Sequence, residues 1–179
     1  MSCSKPLIAF LLALLAAAWL SAPVAAQDAS AVEPAVDAEV GKTLLDRLAG
    51  TWNLTATRAS GETITGRNTY TPTLAGNALH VTTFVTNPDG TTYQRYDRLM
   101  WFDAATGHVR TVGLNNDLDV REQTFSIFGK DSFRRGFDDP SSRSRETYAF
   151  ESTTTITWQV EIPTDDGWTV AVSGVWEKE

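Results

Sequence analysis

The sequence predicts an all-β protein: an antiparallel up-and-down barrel of about 8–10 strands, preceded by a short N-terminal helix. Three observations predict it. From Thr51 onward the chain breaks into ten short runs rich in β-branched and aromatic residues, joined by turn-forming segments. Helical periodicity is confined to the residues just before Gly50. An open meander carrying this much Val, Ile and Trp would leave two adhesive edges, and closure into a barrel removes them.

The helix rests on Val40, Leu44, Leu45 and Leu48, which recur at i, i+4, i+5 and i+8 and form one apolar stripe. Gly50 follows, where a helix stops. The ten expected strands are 51–58, 62–70, 78–86, 91–102, 107–114, 119–128, 131–137, 143–151, 154–162 and 167–176. Between them lie "SGE", "TLAGN", "NPDG", "DAATG", "NND", "GK", "DDPSS" and "TDDG", segments with the chemistry of turns. The last hairpin is the best defined. Pairing Ile162 with Trp168 sets Val160 opposite Val170 and Trp158 opposite Val172, which gathers the large residues on one face.

Residues 1–26 read as a secretory signal peptide: Lys5 in a polar start, an apolar core over "LIAFLLALLAAAWL", and a small-residue cleavage site at Val24-Ala25-Ala26. The apolar run is fourteen residues, short of the roughly 20 that span a bilayer. Residues 27–40 read as a flexible acidic leader and 41–179 as the barrel. The expected location is the periplasm or the exterior, with no membrane span.

Cleavage after Ala26 removes Lys5 and Cys3, changing the formal charge from −7 to −8 and leaving no thiol for a disulfide, nucleophile or metal. From Gly41 onward there are 14 basic and 18 acidic residues, and that balance has no general attraction for nucleic acid. His80 and His108 are 28 residues apart without the short spacing of metal ligands, so neither a metal nor another cofactor is expected. No Gly-x-Ser-x-Gly occurs, and Asp138-Asp139 and Asp165-Asp166 sit in turn contexts. No catalytic set is expected.

The short helix ending in "LAGTW", followed by a meander, resembles the start of lipocalin-like barrels, the calycins. "YDRLMWFDAATGHVRTVG" is similar to segments of exported bacterial lipocalin-like domains of unknown function. The resemblance spans about 139 residues. It implies that Trp52 plugs one barrel end, with Lys178 as the nearest basic residue to pack on it, and that the interior takes a small molecule.

The candidate ligand-binding residues are arginines inside alternating strands. Tyr96, Arg98 and Met100 share a face with Leu79 and Val81, and the same numbering parity adds Arg110; the opposite face carries Arg95 and Asp97, and either face turned inward puts an arginine inside. Arg58 shares a face with Trp52 and Leu54. A guanidinium cannot shed its charge, so inside a barrel it is satisfied by an interior carboxylate or waits for an anionic ligand. Trp158 and Trp168 would supply apolar walls. The expected function is non-enzymatic binding of a small amphiphilic, anionic molecule. The alternatives are a cyclase, isomerase or esterase using the cavity, and a solid barrel that contacts an envelope partner.

Overall fold

A computed structural model of the chain describes residues 37–137 and 141–179. The expected signal peptide and residues 27–36 of the expected leader lie outside these described residues. Helix α1 spans Ala38–Leu48, so the last three leader positions belong to it. The Asp37 side chain accepts from the Glu39 backbone N–H at its start, at 3.1 Å. Gly50, with φ of +121°, turns the chain out of the helix into the first strand.

Ten strands follow: β1 Gly50–Arg58, β2 Thr63–Thr73, β3 Ala78–Thr86, β4 Thr92–Asp103, β5 His108–Asn115, β6 Val120–Phe128, β7 Ser132–Arg135, β8 Arg145–Phe150, β9 Thr155–Thr164 and β10 Gly167–Lys178. Each pairs antiparallel with its sequence neighbours, and β1 pairs with β10 to close the barrel. Each strand thereby has a neighbour on both sides, with the seam between β6 and β7 the shortest, paired only over Ser126–Phe128. Burial alternates along the strands, as in Trp52, Leu54 and Ala56 against exposed Asn53, Thr55 and Thr57.

One end is closed and solid. The α1 stripe of Leu44, Leu45 and Leu48 packs over Trp52, whose indole N–H donates to Leu48 O at 2.7 Å. Lys178 crosses the Trp52 ring at 5.3 Å and donates to Arg47 O at 3.0 Å, so the expected basic residue does pack on the plug. Behind the plug, Leu79, Val81, Val109, Phe125, Phe133, Ile156 and Trp176 are each no more than 5% exposed. On α1, Gly41 lies so close to Phe102 that a Cβ would overlap its ring. Gly41→Leu is therefore expected to lift the helix off the barrel and to cost about 1–3 kcal/mol as an overpacking change. Faster amide exchange at Leu44–Leu48 in the variant, with the strands still protected, checks this.

Two expected registers are corrected. Asp103 pairs with His108 around the four-residue loop, so Met100 faces Thr111 and Trp101 faces Arg110. An odd-sum register reverses the numbering parity between β4 and β5, which puts Arg98 inward and Arg110 on the outer wall. In the last hairpin Trp168 pairs with Pro163, and a bulge between Val170 and Val172 moves Trp158 opposite Gly174. The bulge leaves Trp158 inward and turns Trp168 outward.

Candidate functional site

The upper half of the interior, toward the β1–β2, β3–β4, β5–β6, β7–β8 and β9–β10 turns, is polar and only half-buried. Tyr96, Arg98, Gln123, Tyr148, Trp158 and Val172 all take inward register positions and keep partial exposure, whereas the packed end does not. The result is a polar interior layer, in which Asn68, Thr83 and Glu146 are buried, resting on the solid half of the barrel.

One wall comes from β2 to β6. Asn68 pairs with Thr83, and Thr83 with Tyr96. Arg98 donates to Gln123 Oε1 at 3.0 Å and to Thr83 Oγ1 at 3.3 Å, with its guanidinium 4.5 Å from the Tyr96 ring centroid. Arg98 sits opposite Gly113, where an added Cβ would come within 2.8 Å of the Arg98 Cγ. The glycine interrupts β5 so that the arginine can lie across it.

The facing wall comes from β7 to β9 and centres on Glu146, which is 8% exposed. Its carboxylate accepts from Arg135 Nε at 2.5 Å, from the Tyr148 hydroxyl at 2.8 Å and from the Trp158 indole N–H at 2.9 Å. Tyr148 stacks on Phe133 at 4.6 Å with the planes 2° apart. Burial lowers the Arg135 pKa, but the Glu146 charge and hydrogen bond outweigh it and the net shift is upward.

The two walls feel each other. Burial pushes the Tyr148 phenol well above its ordinary range; the Glu146 charge and Tyr70 add to the rise, and Arg98 opposes it. Burial also raises Tyr70, against the Arg98 charge and the Asn68 hydrogen bond. A phenol whose folded pKa is raised contributes stability that is fully present below its unfolded pKa, about 10, and is lost as pH rises toward the folded value. The melting temperature is thus expected to fall between pH 9 and pH 11, and to fall less in Tyr148→Phe, as calorimetry across that range would show.

The polar inventory is unbalanced. Arg98 Nε, Asn68 Oδ1, Thr111 Oγ1 and Trp176 Nε1 are buried without a hydrogen-bond partner among the described residues. Each such atom costs about 1–3 kcal/mol when nothing replaces water. Charge is unbalanced too. Below the rim, among the described residues, Glu146 is matched by Arg135, while both hydrogen-bond partners of Arg98 are neutral.

The candidates chosen from sequence divide into two sets. Tyr96, Arg98 and Trp158 take inward positions in the polar layer, Arg98 against Tyr96 on one wall and Trp158 on the facing wall. Arg58 is on the rim, ion-paired with Glu62 at 3.3 Å. Arg110 pairs with Asp103 at 3.6 Å on the outer wall, and Trp168 lies 4.1 Å from the Arg145 guanidinium, also outside. Glu146, Arg135, Gln123 and Asn68 were not anticipated. Each is a polar residue in phase with inward apolar ones, Gln123 with Phe125 and Ile127, Asn68 with Ile64 and Tyr70, Glu146 with Phe150 and Arg135 with Phe133. Arg95 is the extra residue of a bulge in β4, which carries its guanidinium to 5.4 Å from the Tyr96 ring at the mouth. Both histidines are on outer positions, His80 against Asp97 at 2.6 Å and His108 against Thr106 O at 2.6 Å. Among the described residues no group of three or more His, Cys, Asp or Glu could hold a metal.

No family model and no curated protein matches the chain. Several solved barrels are similar in outline. The structure of EF1p2_mFAP2b bound to DFHBI is 14% identical, aligned over 78% of this chain and 99% of that one, with a TM-score of 0.45. A redesigned β-barrel, mFAP1, bound to DFHBI is 17% identical over 75% and 97%, with a TM-score of 0.42. A de novo designed fluorescence-activating β-barrel is 14% identical over 76% and 98%, with a TM-score of 0.40. The architecture described above rests on the strand pairing itself.

Proposed function

We propose that the polar layer serves as a cup at the open end of the barrel, that it binds a small amphiphilic anion with the anionic head on Arg98, and that it performs no chemistry on it. The observation that carries this reading is the Arg98 guanidinium, held inside the barrel by neutral partners only and with a buried Nε left over. A protein built only to be stable would replace such a group with an apolar one. Retaining it makes sense when a ligand oxygen completes its hydrogen bonds.

The rest of the site suits binding more than turnover. Glu146 accepts from three donors, Arg135, Tyr148 and Trp158, and so already holds the facing wall together. Tyr148 is itself one of those donors. The same proposal places the protein outside the cytoplasm after cleavage behind Ala26, so the intact mass of the mature chain should begin at Gln27.

Calorimetric titration with benzoate and hexanoate, and with the cationic counterparts benzylamine and hexylamine, tests the reading. The expected result is heat of binding with at least one anion and none with either amine, each ligand being recovered unchanged. Binding of the amines alone, or of none of the four, would contradict it.

A further inference from the structure

We infer that the occupant of the cup is a short, planar aromatic monoanion, such as an aryl carboxylate, and not a long-chain acid. This rests on the reading of Arg98 as the anion's partner and adds the shape and charge of what lies against it.

Depth limits the ligand first. Toward the closed end from Arg98, Leu79, Met100 and Val109 are at most 3% exposed and part of one continuous core, and Val81 and Phe133, the strand partners of Arg98 and Tyr148, are as deeply buried. An alkyl tail cannot pass that floor without displacing packed side chains, at a cost of several kcal/mol in a close-packed interior. The inward side chains that keep partial exposure, among them Tyr96, Arg98, Tyr148 and Trp158, lie in the layer that holds the polar groups.

Charge limits it next. Arg98 and Arg135 against Glu146 leave one positive charge inside. A single negative charge neutralises it, whereas a dianion would replace one unmatched buried charge with another.

The walls then select for shape. On one side the guanidinium of Arg98 lies over Tyr96. On the other, Tyr148 and Trp158 lie 6.3 Å apart, and Trp158 continues the array to Trp176 at 6.2 Å. Tyr148 and Trp158 both donate to the same Glu146 oxygen. That shared acceptor fixes two rings, so the wall is rigid before anything binds. A rigid aromatic wall receives a flat ring at little entropic cost, while a flexible chain loses its rotamer freedom there. Glu146 is accordingly a positioning residue that holds the aromatic wall and does not itself touch the anion.

The test compares 2-naphthoate, decanoate and 2-naphthamide by calorimetry on the mature chain, together with Trp158→Leu, whose fold is checked by near-ultraviolet circular dichroism. The expected result is that 2-naphthoate binds at least tenfold more tightly than either decanoate or 2-naphthamide, and that Trp158→Leu shrinks the advantage over decanoate to under threefold. Decanoate binding as well as 2-naphthoate overturns this inference and leaves the anion reading standing. 2-Naphthamide binding as well as 2-naphthoate, or no binding by either acid, overturns the anion reading itself. A preference unchanged in a folded Trp158→Leu would show that the aromatic wall is not its source.

Discussion

Replacing Arg98 with methionine is expected to abolish anion binding and to leave the melting temperature unchanged or higher. The two effects have one cause. Arg98 makes two hydrogen bonds to neutral oxygens and leaves its Nε buried without a partner, so the unliganded barrel gains little from it. Methionine fills similar volume with no polar atom to satisfy. The lost charge-assisted hydrogen bonds are worth about 1.5–3 kcal/mol each, or roughly 10–100-fold in affinity. Titration with 2-naphthoate and thermal melting on the same preparation measure both. A variant that loses stability and keeps its affinity would assign Arg98 to the scaffold.

Glu146→Gln is expected to do the reverse, destabilising the fold strongly whether or not a ligand is present. Glutamine keeps an acceptor for Tyr148 and Trp158 but strips the Arg135 guanidinium of its counter-charge. Removing one partner of a buried ion pair costs about 3–5 kcal/mol, because the other charge stays buried. In a domain of this size that is on the order of 10 °C in melting temperature. The double variant Glu146→Gln with Arg135→Met should recover most of the loss, because it removes the unmatched charge. Melting curves of the wild type, the two single variants and the double variant close the cycle.

These opposite signs separate the two interior arginines, of which the sequence pattern points only to Arg98. Alternation and turn chemistry alone delimit the ten strands, since barrel strands are short and half-buried and their signal is local. The pattern leaves the inward face of β4 open, since the face with Arg98 is only slightly more apolar than the face with Arg95; the pairing of Met100 with Leu79 and of Arg98 with Val81 decides it. Arg110 and Trp168 are misplaced for a reason that no residue pattern carries. A loop that pairs Asp103 with His108, and a bulge between Val170 and Val172, each shift the register by one and reverse the faces beyond.

Glu146 is harder still to foresee. It stands in "SRSRETYAF", flanked by Arg145 and Thr147, and looks like one of many exposed acids. Only the closing of β7 against β8 brings Arg135 opposite it, and only the pairing of β8 with β9 brings Trp158 within reach. A partnership formed by register is invisible until the register is known. The Trp52 plug is the opposite case. Helix stripe, Gly50 and Trp52 are contiguous, and the chain reaches its geometry through local contacts such as the indole N–H to Leu48 O.

Whether the cup around Arg98 holds a small anion is tested most directly by the native mass of the wild type and of Arg98→Met, each purified without denaturant from the compartment where the protein accumulates. The wild type is expected to carry an additional mass, released on unfolding and recovered as an anion, and Arg98→Met is expected to carry none. The same adduct on both proteins, or a bare wild type that also fails to bind any added anion, would contradict it.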